Sequence, residues 1–81
     1  MFVTRTILTI RGLHNRASAS KVARSLQSTK GVAGVAIDVP SRSACVEHDE
    51  QAGVRELISA VNQVGLQVDG YNQPDSGDAG N

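Results

Sequence analysis

The apolar residues of this 81-residue chain switch spacing from two to 3.6 and back, twice over, and few folds satisfy that order. Thr6, Leu8 and Ile10 alternate with Arg5, Ile7 and Thr9, the mark of a strand with one buried face. Ala19, Val22, Ala23 and Leu26 then fall at i, i+3, i+4 and i+7, a single helical stripe. Val35, Ile37 and Val39 alternate again, and the turn Pro40-Ser41-Arg42-Ser43 leads into a third strand carrying Ala44 and Val46. Val54, Leu57, Ile58 and Val61 form a second helical stripe, Gly65 ends it, and Leu66-Gln67-Val68 opens a fourth strand. The order βαββαβ predicts an α+β fold, the ferredoxin-like sandwich: a four-stranded antiparallel sheet with two helices on one face. The strand parities and helical stripes select Leu8, Ile10, Val22, Leu26, Val35, Ile37, Val46, Leu57, Ile58 and Val61 as the core.

Helix ends are also legible. Asn15 or Ser18 can cap the first helix by accepting from a free N–H of its first turn. Gly31 supplies its stop, and Asp49 is the expected cap of the second helix. The domain is expected to span residues 1–71. The polar stretch 72–81 has nothing to bury and is expected to be a disordered tail.

Charge is neutral overall but split along the chain. Residues 1–30 hold Arg5, Arg11, Arg16, Lys21, Arg24 and Lys30 and no acid, and every Asp and Glu comes later. Such asymmetry between halves is read two ways with equal weight: as an interaction surface, or as a basic first half neutralised in the fold by the acidic second helix and tail. The lone Cys45 permits no internal disulfide. No segment reaches the roughly 18 apolar residues of a membrane span, so a cytoplasmic, reducing setting is expected. Nucleic-acid binding on this scaffold needs aromatics on the outward positions of the first and third strands. Here those positions hold Ile7, Thr9, Cys45 and Glu47. No nucleophile–base–orienter set follows from Ser18, Ser20, His14 and Asp38, so the chain reads as no enzyme.

Four pieces in order carry a more specific signal. They are Gly12-Leu13 after the first strand, Gly31-Val32 with Gly34-Val35-Ala36-Ile37-Asp38, Ala44-Cys45-Val46-Glu47-His48-Asp49, and Leu57-Ile58-Ser59-Ala60-Val61-Asn62-Gln63-Val64-Gly65-Leu66. Together they resemble the heavy-metal-associated domains, small metal carriers and metal-receiving domains of transport ATPases. The resemblance runs from Ile7 to about Val68. It implies a role in metal-ion binding or transfer and, in the first loop, a pair of cysteines three apart holding Cu(I). In this chain Asn15 and Ser18 stand at the two cysteine positions, and Leu66 replaces the aromatic beside the loop.

Cu(I) is soft and favours thiolates, which an amide and a hydroxyl replace poorly. The site is therefore expected to be degenerate, with no required cofactor and at most a weakly held metal ion. His14 is the one candidate ligand in the loop. His48 belongs at the far end of the sheet, and Cys45 and His48, three apart on a strand, point to opposite faces. Cys45 is expected on the outer, helix-free face. The alternative function is a metal-independent interaction module, monomeric or weakly dimeric. It would meet an acidic protein partner through Arg16, Lys21 and Arg24, with Leu13 as the apolar contact at the centre; the equal alternative for Leu13 is a core plug tucked beneath the loop.

Overall fold

The computed structural model describes residues 3–74, and residues 75–81 of the expected tail lie outside them. Along the chain come β1 (Thr4–Arg11), α1 (Arg16–Gln27), β2 (Val32–Asp38), β3 (Ser43–His48), α2 (Val54–Gln63) and β4 (Gln67–Asn72). The strands form one sheet in the order β2-β3-β1-β4, each neighbouring pair antiparallel. This is the ferredoxin-like sandwich expected from the periodicity. α1 and α2 lie side by side on one face, and the Ser25 hydroxyl of α1 donates to the Ala60 carbonyl of α2 at 2.7 Å.

Leu8, Ile10, Val22, Leu26, Val46, Leu57 and Val61 are fully buried, as their parity requires. Each contributes about 1.5–3 kcal/mol through removal from water. Three expected core residues are only half-buried. Val35 and Ile37 face the helices but sit on β2, an edge strand with no neighbour on one side. Ile58 follows Leu57, so the helical turn rotates it toward the β4 edge, where the sheet stops. Leu13, Ala44, Ala52 and Ala60 complete the core instead.

Three boundaries differ from the sequence reading. α2 is capped by Gly53, whose N–H donates to Glu56 Oε1 at 2.9 Å. Asp49 instead closes a turn by accepting from the Gln51 N–H at 2.8 Å. α1 ends at Gln27 with Ser28 as its C-cap, three residues before Gly31. Gly31 adopts φ +95° in the connection to β2, and a Cβ there would lie 2.8 Å from the Ala52 backbone nitrogen. Gly31→Ala is expected to destabilise the domain by more than about 1 kcal/mol, read as a lower urea midpoint with unchanged m-value. At the other boundary, β4 runs through Asn72, which pairs with Ile7, and the Gln73 amide donates to Thr6 Oγ1 at 3.0 Å. The ordered unit therefore extends past residue 71.

Candidate functional site

The loop Gly12–Asn15 joins β1 to α1 at one end of the sheet. Gly12 turns the chain at φ +94°, and a Cβ there would come 2.9 Å from Leu66 Cδ2. The missing side chain is what lets Leu66 close against the loop. Leu13 follows with 0% exposure. It is a plug beneath the loop, and the expectation that it serves as an exposed docking contact is corrected here. With Leu13 turned inward, His14 and Asn15 are exposed.

Asn15 has extended backbone (φ −148°, ψ 176°), and its side-chain Oδ1 accepts from the Ser18 N–H at 2.8 Å. Of the two candidate caps, Asn15 holds the position. The Asn15 side-chain oxygen is therefore committed to the start of α1. Ser18 sits half-buried one turn along.

Among the described residues no three His, Cys, Asp or Glu side chains come together as a metal-binding group. His48 lies opposite Thr4, at the far end of β1 from the loop. It is 3% exposed, its Nε2 is 2.7 Å from Thr6 Oγ1, and its Nδ1 is 3.1 Å from the Asp49 carbonyl. Since a carbonyl only accepts, Nδ1 carries the proton of that contact. His48 is a fastening between β1, β3 and the following turn. Cys45 is a free thiol on the outer face, registered between Ile7 and Ala36.

Arg16, Lys21 and Arg24 are all exposed, and none has an ion-pair partner among the described residues. They do not form one cluster. Ser25 marks the side of α1 that faces α2, so the 100° step per residue puts Lys21 on that side, Arg24 on the crest and Arg16 on the opposite flank. One cation was missed by the sequence reading. The Arg42 carbonyl accepts from the Ile10 N–H at 2.7 Å, which brings the β2–β3 turn to the first-loop end. The available signal was topological: β2 runs parallel to β1 in this order, so its turn must return to that end. Arg11, at the end of β1, is neutralised by Asp69 at 3.0 Å.

An open groove of about 480 Å³ lies away from the loop, between α1 and α2. The Ser25, Ser28 and Thr29 hydroxyls along it each donate to a backbone carbonyl.

The chain superimposes on oxidised MerP from Ralstonia metallidurans CH34 with a TM-score of 0.79 and 22% identity, covering 83% of this chain and 94% of that one. The N-terminal domain of a potential copper-translocating P-type ATPase from Bacillus subtilis, in its Cu(I)-loaded state, matches at a TM-score of 0.76 and 23% identity over 99% and 100% of the two chains. A CopZ metallochaperone matches at 0.76 and 22%, over 79% and 97%. At these identities the likeness establishes the fold. No curated protein sequence is significantly similar to the chain. The sequence model described as heavy-metal-associated domain matches residues 7–66. This covers most of the chain, including the greater part of β1, the loop, both helices, β2 and β3. The chain belongs to the heavy-metal-associated domain family.

Proposed function

We propose that this domain acts in metal-ion handling as a docking module whose first loop does not grip Cu(I). The observation that carries this reading is the Asn15 cap: the side-chain oxygen at the first ligand position is 2.8 Å from the Ser18 N–H and holds the helix start. The donor set does not suit a soft ion, since it offers an amide, a hydroxyl and the single imidazole of His14. The solved relatives include a metallochaperone and a Cu(I)-loaded ATPase domain, which supports a setting among metal-transfer proteins. We place it in the cytoplasm and assign it no catalytic step. Its test is a chelator-competed Cu(I) titration of the reduced protein, followed by amide NMR. Saturable shifts confined to His14, Asn15 and Ser18 would overturn the reading.

Docking to an acidic protein surface is favoured by one further observation. α1 has no acid in its first turn, and Arg16, Lys21, Arg24 and Arg42 are exposed without ion pairs among the described residues. Rim cations of this kind mainly raise the association rate. Lys21→Glu combined with Arg24→Glu is expected to slow association with an acidic partner. The wild-type on-rate should fall as salt rises past about 0.1 M, where the Debye length is about 10 Å. An unchanged rate in the reversed variant, with no salt dependence, would reduce these residues to a solvated helix face.

A further inference from the structure

We propose that His48 is a proton-operated switch whose state sets the orientation of the Gln73 side chain at the end of β4. This goes beyond the docking reading and does not depend on it. Four polar groups form one chain of hydrogen bonds through the protein. The Asp49 carbonyl is 3.1 Å from His48 Nδ1, and His48 Nε2 is 2.7 Å from Thr6 Oγ1. Gln73 Nε2 is 3.0 Å from the same hydroxyl oxygen. Turning the ring over would set carbon atoms against both of its partners, so the ring has one orientation. The direction of the chain follows from its Asp49 end. A carbonyl has no proton to give, so Nδ1 donates to it. In the neutral ring Nε2 is then bare, and the Thr6 hydroxyl donates to it. That uses the one hydroxyl proton, so Thr6 Oγ1 accepts from Gln73 and the amide presents its N–H side. Every proton points the same way, from Gln73 through Thr6 and His48 to Asp49.

Protonating His48 places a hydrogen on Nε2 and reverses the middle link. Thr6 Oγ1 must then accept from the ring, and its own hydrogen loses its acceptor. Thr6 is 0% and His48 3% exposed, so solvent does not supply another. A buried hydroxyl hydrogen left unpaired costs free energy. Gln73 is only half-buried, so its amide is the member of the chain that can turn. Turned over, its Oε1 accepts from Thr6 where Nε2 had donated. One proton at His48 thus exchanges donor for acceptor at Gln73, where the chain leaves the sheet.

Charged groups surround the ring, and among the described residues none is hydrogen-bonded to it. Arg5 and Glu47 neighbour Thr6 and His48 in sequence but lie on the outer face, 3.8 Å from each other. β2 brings Val32 opposite His48 and no charge. On β4, Asp69 is held by Arg11 toward the first-loop end. The turn after β3 brings Asp49, whose carboxylate accepts from the Gln51 N–H, and the exposed Glu50. Lys30 is exposed beside Gly31, whose carbonyl accepts from the Asp49 N–H. Arg24, in the last turn of α1, is exposed, as is Arg55 in the first turn of α2. The Glu56 carboxylate accepts from the Gly53 N–H. The switch therefore works through the neutral groups of Thr6, Gln73 and the Asp49 backbone.

The test is a titration of the full-length protein from about pH 8 to about pH 5, the span in which an imidazole changes charge. NMR follows both histidine rings and the glutamine side-chain amides. At the upper end His48 is expected to carry its proton on Nδ1, with Nε2 bare. As the ring takes its second proton, the Gln73 side-chain amide should shift with the same midpoint. The side-chain amides of Gln27 and Gln63 should stay still. His14, exposed at the first loop, should titrate without moving Gln73. Thr6→Val removes the hydroxyl and should abolish the Gln73 shift while His48 still titrates, and Thr6→Ser should restore it. Thermal melting verifies that both variants fold, and the comparison of midpoints in wild type decides the matter without them. A Gln73 amide that stays still while His48 titrates would overturn the proposal. So would a Gln73 shift that persists in folded Thr6→Val, or a His48 ring that stays neutral until the domain unfolds. A proton on Nε2 at the upper end would overturn the direction of the chain, and the switch with it. The docking reading through Lys21 and Arg24 is untouched by each of these results.

Discussion

Leu13→Ala is expected to cost the domain about 2–5 kcal/mol, the range for truncating a buried leucine. Leu13 is 0% exposed and packs in one cluster with Leu8, Ile10, Val22 and Leu26. A domain of this size has little stability to spare, so the loss is a large fraction of the total. Thermal melting reads it directly, because each kcal/mol shifts Tm by roughly 4–8 °C in a domain of this size. Leu13→Met keeps the volume and should cost less than about 1.5 kcal/mol. Were Leu13 an exposed docking residue, alanine would leave the melting temperature alone and weaken a partner complex. A fall of less than roughly one degree in Leu13→Ala would show that the plug assignment is wrong.

Asn15→Cys together with Ser18→Cys should give tight Cu(I) binding where wild type is expected to show little, at a measurable cost without metal. The cost comes from the cap. Losing the Asn15 Oδ1 acceptor for the Ser18 N–H removes a contact worth about 0.5–2 kcal/mol. The gain comes from two thiolates at a helix start, where the positive end of α1 favours anionic ligands. With free Cu(I) at about 100 times the Kd, binding should stabilise the variant by about 2.7 kcal/mol. The apo variant should therefore melt below wild type and the Cu(I)-loaded variant above its own apo form. Wild type should melt at the same temperature with and without Cu(I). A wild type that is stabilised by Cu(I) as strongly as the variant would show that the loop holds metal through other atoms. A variant that ignores Cu(I) would show that the backbone no longer presents the two positions together.

The local sequence determined the number and order of the six elements and which side of each faces inward. Leu8 and Ile10 are two apart on β1, Val22 and Leu26 four apart on α1, and each pair shares a face through backbone geometry alone. That the first loop offers an amide and a hydroxyl rather than thiols was equally legible, since no fold changes the identity of Asn15 and Ser18. The distance of His48 from the first loop followed from strand direction once the order was known.

Only the tertiary structure decided how deeply each inward residue is buried. Val35 and Ile37 have the same parity as Leu8 and Ile10, yet β2 is an edge and β1 lies between two strands. Periodicity reports an element's own faces, while burial depends on which neighbours arrive on its flanks. Leu13 lies outside any period, so its place under the loop was set by where α1 and Leu66 close over it. The choice of Asn15 over Ser18 as cap, and of Gly53 over Asp49, rested on where the first helical turn could pack. Arg42 reaches the first loop only because the sheet returns the β2–β3 turn to that end. His48 became a buried fastening because Thr6, distant in sequence, arrives 2.7 Å from its ring. Such contacts link residues tens of positions apart, and pairing of that range is settled by the packing of the whole sheet rather than by any local stretch of chain.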